Sequence, residues 1–390
     1  MAKGAYIGVS DTPRKVKKIY IGVDGEPRRI TKAYIGVGGV ARPCWGLGGG
    51  KPTAYGAIDS LHSAAAPLAA TVGDYAIFPR TSGMSGSATA YNRSLTKSII
   101  TASVSGESGI ASTSTADGNY ALFYGGAYGA MISTHDYMHY YNASLTGGSK
   151  ITSAISCGFA AGATGDNRAV FAGGYNESYE FNETIELYTN SLTSSTQWMC
   201  DLLDHGYSNM SGVSCGSYGA WFAGGWHRST SGHISFLSGD VIAIRSKNGD
   251  SYYVGGIDTP TESLAGTKVG NYALFGGGMT TSAYSKKVYA FSMSGTKVSG
   301  CADLSRKQYM GDLAVTTLGN YAIFAGAYDS SYSDNKIAEL YDSSLTKQSN
   351  LHLSSTTAYA YSGVVITHGD FAIAAGRGSS GKLVDAITLV

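Results

Sequence analysis

The stretch Gly118-Asn-Tyr-Ala-Leu-Phe-Tyr-Gly-Gly126 decides the fold, because it returns almost unchanged at 270–278 and again at 319–327. Looser copies of the same phrase stand at 73–78, 167–174, 217–225 and 369–376. The aromatic position inside the phrase is Phe in six copies and Ala374 in the seventh, and it recurs every 45 to 53 residues. A repeat of this length is typical of solenoids and β-propellers.

A second marker follows the phrase in most copies, where it ends in Ser-Leu-Thr and begins at Tyr91, Tyr141, Tyr188 and Tyr341. Its Asn, Asp and Ser residues favour a turn, because their side chains bond to nearby backbone groups. The two markers together predict four short antiparallel strands per copy, which is one propeller blade. In the sixth copy the predicted strands are 312–318, 321–325, 337–341 and 347–353.

The seventh copy is incomplete, because it offers strands only at 364–367, 371–375 and 384–390. Residues 55–62 form an orphan strand ahead of the first copy. We expect this strand to complete the last blade and close the ring, which removes open sheet edges. The prediction is therefore an all-β chain with a seven-bladed propeller closed by an N-terminal strand.

Two features make residues 53–390 resemble the kelch-repeat β-propellers: a glycine pair after the second strand and a Tyr-Asp/Asn turn after the third. The glycine pairs are Gly125-Gly126, Gly173-Gly174, Gly224-Gly225 and Gly277-Gly278. The Trp that is usual in the fourth strand of that family is present only as Trp198. The resemblance implies the fold and no single function, since kelch propellers include oxidases, scaffolds and adhesins.

Residues 1–45 carry a different repeat, with a period of 14 residues from Tyr6 to Tyr20 to Tyr34. Each unit has Tyr-Ile-Gly-Val, a turn and a basic second half, which predicts a β-hairpin. Three hairpins could form a small meander sheet, which would be too small for a robust core of its own. Such a sheet needs a partner protein or self-association, so a homo-oligomer is one of the two alternatives. Residues 46–52 follow as a Gly-rich linker between this module and the propeller at 53–390.

Charge is divided unevenly between the two parts. Residues 1–45 hold nine Lys and Arg against three acids, a net of +6, whereas the remainder holds 19 against 24, a net of −5. The basic module either contacts an anionic surface or nucleic acid, or its Lys and Arg coat the edges of a small sheet. We favour the second interpretation, so nucleic acid is not the expected partner.

The tandem Tyr-Ile-Gly-Val units and their ending Gly38-Gly-Val-Ala-Arg-Pro-Cys-Trp45 resemble segments of tail-associated proteins of phages and prophages of Gram-positive bacteria. This resemblance implies an exterior position on the virion, in the tail or elsewhere, and other virion proteins as partners of residues 1–45. The residues expected to attach the chain to the particle are Tyr6, Arg14, Tyr20, Arg28, Tyr34 and Arg42. The start lacks a signal peptide and no apolar run reaches the ~18 residues of a membrane span, so synthesis in the bacterial cytoplasm is expected.

No catalytic constellation stands out in the sequence, and neither a cofactor nor a metal is expected. The five cysteines lack metal-like spacing and are expected to be buried or idle thiols. His135 and His139 have a spacing that suits a metal only on a helix, whereas a strand is predicted there. The Tyr, His and modified Cys that a kelch-fold copper oxidase requires are not found in any recognisable phrase.

The loops after the second strands and the connections between blades are rich in aromatic and basic side chains. The candidate ligand-binding residues are Tyr128, His135, Tyr175, Tyr179, His205, Tyr207, Trp226, His227, His233, Arg306, Tyr309, Tyr328 and Tyr332. Aromatic faces pack against sugars or proteins, although tyrosines also fill the space between blades. Together with the resemblance of residues 1–45, these loops favour a phage tail or baseplate protein that binds the host surface, with a glycan as the expected ligand. The alternatives are a structural virion decoration and an envelope-degrading enzyme or oxidase on the same fold.

Overall fold

A computed structural model gives the structure of the chain, which divides into residues 1–51 with 389–390 and residues 52–388. The described residues are 6–9, 12–15, 19–23, 26–30, 32–37, 40–46, 50–61, 68–79, 87–101, 110–128, 133–134, 137–152, 158–176, 178, 180–198, 207–228, 235–245, 250–306, 314–326, 337–353, 364–375 and 383–389. No helix occurs among them, and thus none that could span a membrane.

The larger unit is a seven-bladed β-propeller of four-stranded antiparallel sheets, whose strands we letter A to D from the centre outward. In order from A to D, blade 1 has strands Ala70–Val72, Tyr75–Phe78, Ser87–Asn92 and Lys97–Thr101. Blade 2 has Ala111–Ser114, Tyr120–Tyr124, Tyr137–Asn142 and Gly147–Thr152. Blade 3 has Ala161–Gly165, Arg168–Ala172, Thr184–Tyr188 and Ser194–Trp198. Blade 4 has Ser211–Ser214, Ala220–Ala223, Asp240–Arg245 and Asp250–Gly256. Blade 5 has Ala265–Val269, Tyr272–Gly276, Val288–Ser292 and Lys297–Val298. Blade 6 has Ala314–Leu318, Tyr321–Ala325, Ile337–Asp342 and Leu351–His352. Blade 7 has Val364–His368, Phe371–Ala375, Leu383–Leu389 and Pro52–Ser60.

The ring is closed in the predicted way. The A strands of consecutive blades contact one another from blade 1 to blade 7, and the A strand of blade 7 contacts that of blade 1. Pro52–Ser60 lies beside Leu383–Leu389 as the D strand of blade 7. An ion pair of 3.3 Å between Lys97 and Asp59 then links this closing strand to the D strand of blade 1.

A recurring aromatic pair fills the space between blades. In blade 2, Phe123 of strand B and Tyr141 of strand C are fully buried and meet edge to face at 6.0 Å and 84°. The same pair recurs as Phe78–Tyr91, Phe171–Tyr188, Phe275–Phe291 and Phe324–Tyr341. Burying each side chain contributes about 1.5–3 kcal/mol relative to leaving it exposed, so the repeated phrase is largely a blade-packing signal.

The Ser-Leu-Thr marker forms the predicted turn between strands C and D. In blade 2 the side-chain oxygen of Asn142 accepts the backbone N–H groups of Ser144 and Thr146, both at 3.0 Å. Asn92 and Asp342 bond in the same manner in blades 1 and 6. The Leu of the marker has a positive φ in every copy, 60° at Leu145, which places its side chain against the blade core.

Hydroxyl groups join neighbouring blades around the centre of the ring. The backbone N–H of Thr71 donates to the Ser114 hydroxyl at 3.1 Å, and the Thr164 hydroxyl donates to the Ser114 carbonyl at 2.6 Å. The N–H of Thr164 donates in turn to the Ser214 hydroxyl at 2.8 Å. These residues occupy the same position in successive A strands, opposite the repeated Ala of strand B, so Ser and Thr there supply hydrogen bonds between sheets.

Residues 6–46 form three hairpins, as predicted, with strands Tyr6–Val9, Thr12–Lys15, Ile19–Val23, Glu26–Ile30, Lys32–Val37 and Val40–Gly46. The innermost pairs are Val9↔Thr12, Val23↔Glu26 and Val37↔Val40, so two residues separate the paired strands in each hairpin. The expected meander sheet is wrong, because within the described backbone the hairpins are three separate two-stranded sheets.

Candidate functional site

The glycine pairs after strand B make room for the connections between blades. The N–H of Gly174 donates to the Tyr207 carbonyl at 2.6 Å, and a Cβ on Gly173 would lie 2.3 Å from that oxygen. A Cβ on Gly224 would lie 2.2 Å from the carbonyl oxygen of Thr261. Both glycines also have a positive φ, so a side chain is excluded by backbone conformation and by lack of space. The glycine pairs of blades 3 and 4 thus allow the following blade connection to pack closely against the end of strand B.

Over blades 3 and 4 the connections and loops are built into an additional layer of short strands. Tyr207–Ser208 pairs with Trp226–Arg228, which pairs with Ser235–Leu237. Single bridges continue the pairing from Tyr207 to Asn182 and from Tyr175 to Phe181. The long aromatic loops singled out in the sequence are therefore ordered sheet in their described parts.

Tyr207 anchors this layer to the blades. Its side chain is 1% exposed, and its hydroxyl donates to Asp240 at 2.9 Å. The Ser238 hydroxyl donates to the same carboxylate oxygen at 2.8 Å. Tyr207 packs against Val170 and Phe222, so it lies between blades 3 and 4 and is not an exposed ligand contact.

Glu262, in the connection between blades 4 and 5, is the least expected residue of this region. Its side chain is 2% exposed. The Asn209 amide donates to it at 3.2 Å, and the Trp226 indole is a second donor. Burial raises the pKa of this carboxyl group, although the two hydrogen bonds oppose the shift. Backbone hydrogen bonds of 3.0 Å in both directions fix Glu262 to Met279 of blade 5.

Around Glu262 lie four partly exposed side chains, Trp226, Asn209, Ser263 and Met279, which we call the Trp226 patch. The N–H of Ser263 donates to the Asn209 carbonyl at 3.0 Å, which joins two blade connections beneath the patch. From the sequence, Trp226 was expected to lie in a loop after the second strand of its copy. That interpretation is wrong, because Trp226 lies in a strand and its indole bonds to a buried carboxylate.

Other candidate residues fall in three groups. Tyr175 is 7% exposed and stacks on Phe159 at 5.2 Å and 11°, so it belongs to the layer and not to its surface. Tyr128 ends the short strand Ala127–Tyr128, while His227 and Arg306 are partly exposed. Outside the described residues lie His135, Tyr179, His205, His233, Tyr309, Tyr328 and Tyr332.

The proposed attachment residues occupy matching positions in the hairpins. Tyr6 and Tyr20 stand opposite Lys15 and Arg29, whereas Tyr34 stands opposite Pro43 after a register shift. Arg14, Arg28 and Arg42 each stand opposite the Ile of Tyr-Ile-Gly-Val. The repeat therefore places one Ile–Arg pair at the same register in all three hairpins.

In the described part of the chain, no group of three or more His, Cys, Asp and Glu side chains is placed to hold a metal ion. Two thiols are described apart from the hairpin module. Burial raises the pKa of Cys215 to about 12, and burial with nearby Asp303 raises that of Cys301 to about 11. Lys268 near Cys215 and Lys347 near Cys301 oppose these pKa shifts, but burial outweighs them, so neither thiol is a thiolate nucleophile at neutral pH.

We expect Cys215 and Cys301 to resist alkylation by iodoacetamide at pH 8 in the native protein, because the thiolate is the reacting form. Peptide mass spectrometry should find both unlabelled until the chain is unfolded, when both should react fully. Labelling of Cys215 in the folded protein at the rate of the denatured control would contradict the burial described.

The comparisons with known proteins address the fold alone. No protein-family model matches the sequence, and no curated protein matches it either. A solved structure titled "Structure of YjhT" is similar with a TM-score of 0.52 and 11% identity, over 70% of this chain and 93% of that chain. At this identity the likeness shows that the propeller architecture is shared, and no activity follows from it.

Proposed function

We propose that this chain is a virion protein of a phage or prophage, in the tail, the baseplate or another exterior position, whose propeller binds the host cell surface. The observation that supports host binding is the added layer over blades 3 and 4, which presents the partly exposed Trp226 and His227. Loops on a rigid scaffold are the usual place for recognition, and here they are fixed by sheet pairing. A fixed aromatic surface loses little conformational entropy on binding.

A glycan is the ligand that suits this surface best. The flat face of an indole packs against the C–H groups of a sugar ring, and neighbouring amides and hydroxyls bond its hydroxyl groups. Asn209 and Ser263 provide such groups beside Trp226. A host protein is the second class of ligand, because exposed Trp also serves as a hot spot in protein interfaces.

An envelope-degrading enzyme is the second candidate function, favoured by Glu262 alone. A buried carboxyl group with a raised pKa is the usual form of a general acid. Glycoside hydrolysis ordinarily needs a second carboxylate beside the first, and the hydrogen-bond partners of Glu262 in the described chain are neutral. Release of reducing sugars from wall polysaccharide by the purified chain would establish this second function in place of simple binding.

The binding test uses the labelled full-length chain on a panel of Gram-positive cells. We expect saturable binding that purified wall polysaccharide competes away and that protease treatment of the cells leaves intact. Loss after protease treatment would identify a protein receptor. Absence of binding to every strain would contradict host recognition and leave a structural decoration as the better account.

The second test concerns particle attachment by the basic hairpins. A chain that lacks 1–45 should fold with an unchanged melting temperature but should be missing from purified particles, because the repeat supplies the contact with other virion proteins. The Lys and Arg excess predicts that docking of the full chain weakens as ionic strength rises. Normal incorporation of the truncated chain, measured by immunoblotting of particles, would contradict the attachment role of residues 1–45.

A further inference from the structure

Glu262 is a buried ionisable group, and no cation is among its partners in the described part of the chain. Its side-chain partners are the Asn209 amide and the Trp226 indole, both neutral donors. Transfer of a carboxylate into such a site is costly unless it is paired with a cation or strongly hydrogen-bonded. A neutral amide would satisfy the same donors at a lower desolvation cost. A purely structural role thus leaves the choice of an acid at this position unexplained.

The acid does one thing that a neutral group does less well, which is to hold the indole of Trp226. Hydrogen bonds to a charged acceptor are shorter and about twice as strong as those between neutral groups. Because Glu262 is itself fixed by two backbone hydrogen bonds to Met279, the indole is tied to blade 5 while its own strand belongs to blade 4. Trp226 therefore has one edge anchored and part of its surface exposed.

The four side chains of the Trp226 patch, as far as the structure describes its surroundings, are uncharged. Trp226, Asn209, Ser263 and Met279 carry no charge, and the groups that shift the pKa of Glu262 include no cation. An anionic ligand would lie near the buried Glu262 carboxylate, and none of the four described side chains of the patch carries a positive charge to compensate it. A neutral ligand with an apolar face and hydroxyl groups fits both the indole and its amide neighbour.

We propose that the Trp226 patch is a binding site for a neutral pyranose of the host envelope, with Trp226 as the stacking residue and Glu262 as a positioning residue. This inference rests on the proposed function and adds to it the site and the charge class of the sugar. The sugar ring packs on the indole, and the amide of Asn209 and the hydroxyl of Ser263 lie beside it to bond its hydroxyl groups. Glu262 acts through Trp226 and Asn209 and does not touch the ligand.

The test uses wall polysaccharide from a strain that the full chain binds, separated by anion exchange into a neutral and an anionic fraction. We expect binding to the neutral fraction and a loss of about tenfold or more for Trp226→Ala. Trp221→Phe is the matched control, since Trp221 is fully buried five residues earlier; it should lower the melting temperature and leave the affinity unchanged. Binding to the anionic fraction alone, or an affinity indifferent to Trp226→Ala, would overturn the site. No binding to either fraction would also overturn the sugar site and point to a protein receptor, whereas only absence of binding to every strain of cells contradicts the proposed function.

The positioning role has a spectroscopic readout. The chain has four Trp residues, so a ¹H–¹⁵N spectrum shows four indole signals at most, and Trp226→Phe assigns one of them. Glu262→Ala should shift that signal and weaken binding several-fold. Glu262→Gln keeps an acceptor for the indole, so its signal position and its affinity should both lie close to those of the unmodified protein. On acidification the signal of the unmodified protein should move with a midpoint above 4.5, and in Glu262→Gln it should not. If the chemical shift of the Trp226 indole is unchanged in Glu262→Ala, the carboxylate does not hold the ring.

Discussion

Replacing Gly224 with Ala should destabilise the propeller by about 4 kcal/mol, from left-handed backbone strain of ~1–2 and overpacking of ~1–3 kcal/mol. The φ of Gly224 is 69°, and an added Cβ would meet the Thr261 carbonyl at 2.2 Å and Leu264 at 2.9 Å. The connection between blades 4 and 5 would have to move away from strand B. Urea denaturation of the full chain measures the effect.

Gly118→Ala is the matched control for this prediction. Gly118 has a φ of 73°, similar to that of Gly224, but an added Cβ would have nothing within 4 Å. It should therefore cost only the conformational strain, about 1–2 kcal/mol. Equal losses for the two variants would show that backbone conformation alone explains the glycine pair and that the connection does not press on it.

Deleting Pro52–Ser60 should prevent the chain from forming a stable monomeric propeller. The deletion removes the whole D strand of blade 7 and exposes the edge of Leu383–Leu389, in which Val384, Ala386 and Ile387 are fully buried. An open edge of this kind pairs with other chains, so oligomers and a strongly lowered melting temperature are expected. Size-exclusion chromatography and thermal melting measure both effects.

Two controls sharpen the closure test. Removing only 1–45 leaves every blade intact and should leave the melting temperature of the propeller unchanged. A synthetic peptide of residues 50–61, added to the chain that lacks Pro52–Ser60, should bind the open edge and restore part of the lost stability. A deletion variant that remains a monomer and melts like the full chain would refute closure by this strand.

Strands in the repeat core could be predicted closely because several signals coincide there. The predicted strands 321–325 and 371–375 are observed with the same bounds, since apolar residues and a Gly turn mark both ends. The outermost strand, D, was harder to predict. In blade 6 the sequence predicts a D strand over 347–353, whereas the structure has only Leu351–His352. D strands have one paired edge and few buried side chains, so packing and not local sequence sets their length.

The candidate site was less accessible to prediction, because the connections between blades do not follow the repeat. Glu262 stands in Thr-Glu-Ser with no counterpart in other copies, and Asn209 is far from it in sequence. Their meeting depends on the ring, which brings the connections of successive blades together. Trp226 was recognised as an aromatic of interest, but its strand and its anchor required the structure.

The position of the closing strand has a consequence for how the chain folds during synthesis. Pro52–Ser60 leaves the ribosome early, but its partner Leu383–Leu389 follows only after roughly 330 further residues, on the order of half a minute of translation. Until then the nascent chain holds blades whose ends are uncapped, and closure must bring together its most distant segments. The final step of ring closure is therefore expected to be slow. Pulse-labelled hydrogen exchange should accordingly find protection of Leu383–Leu389 appearing last.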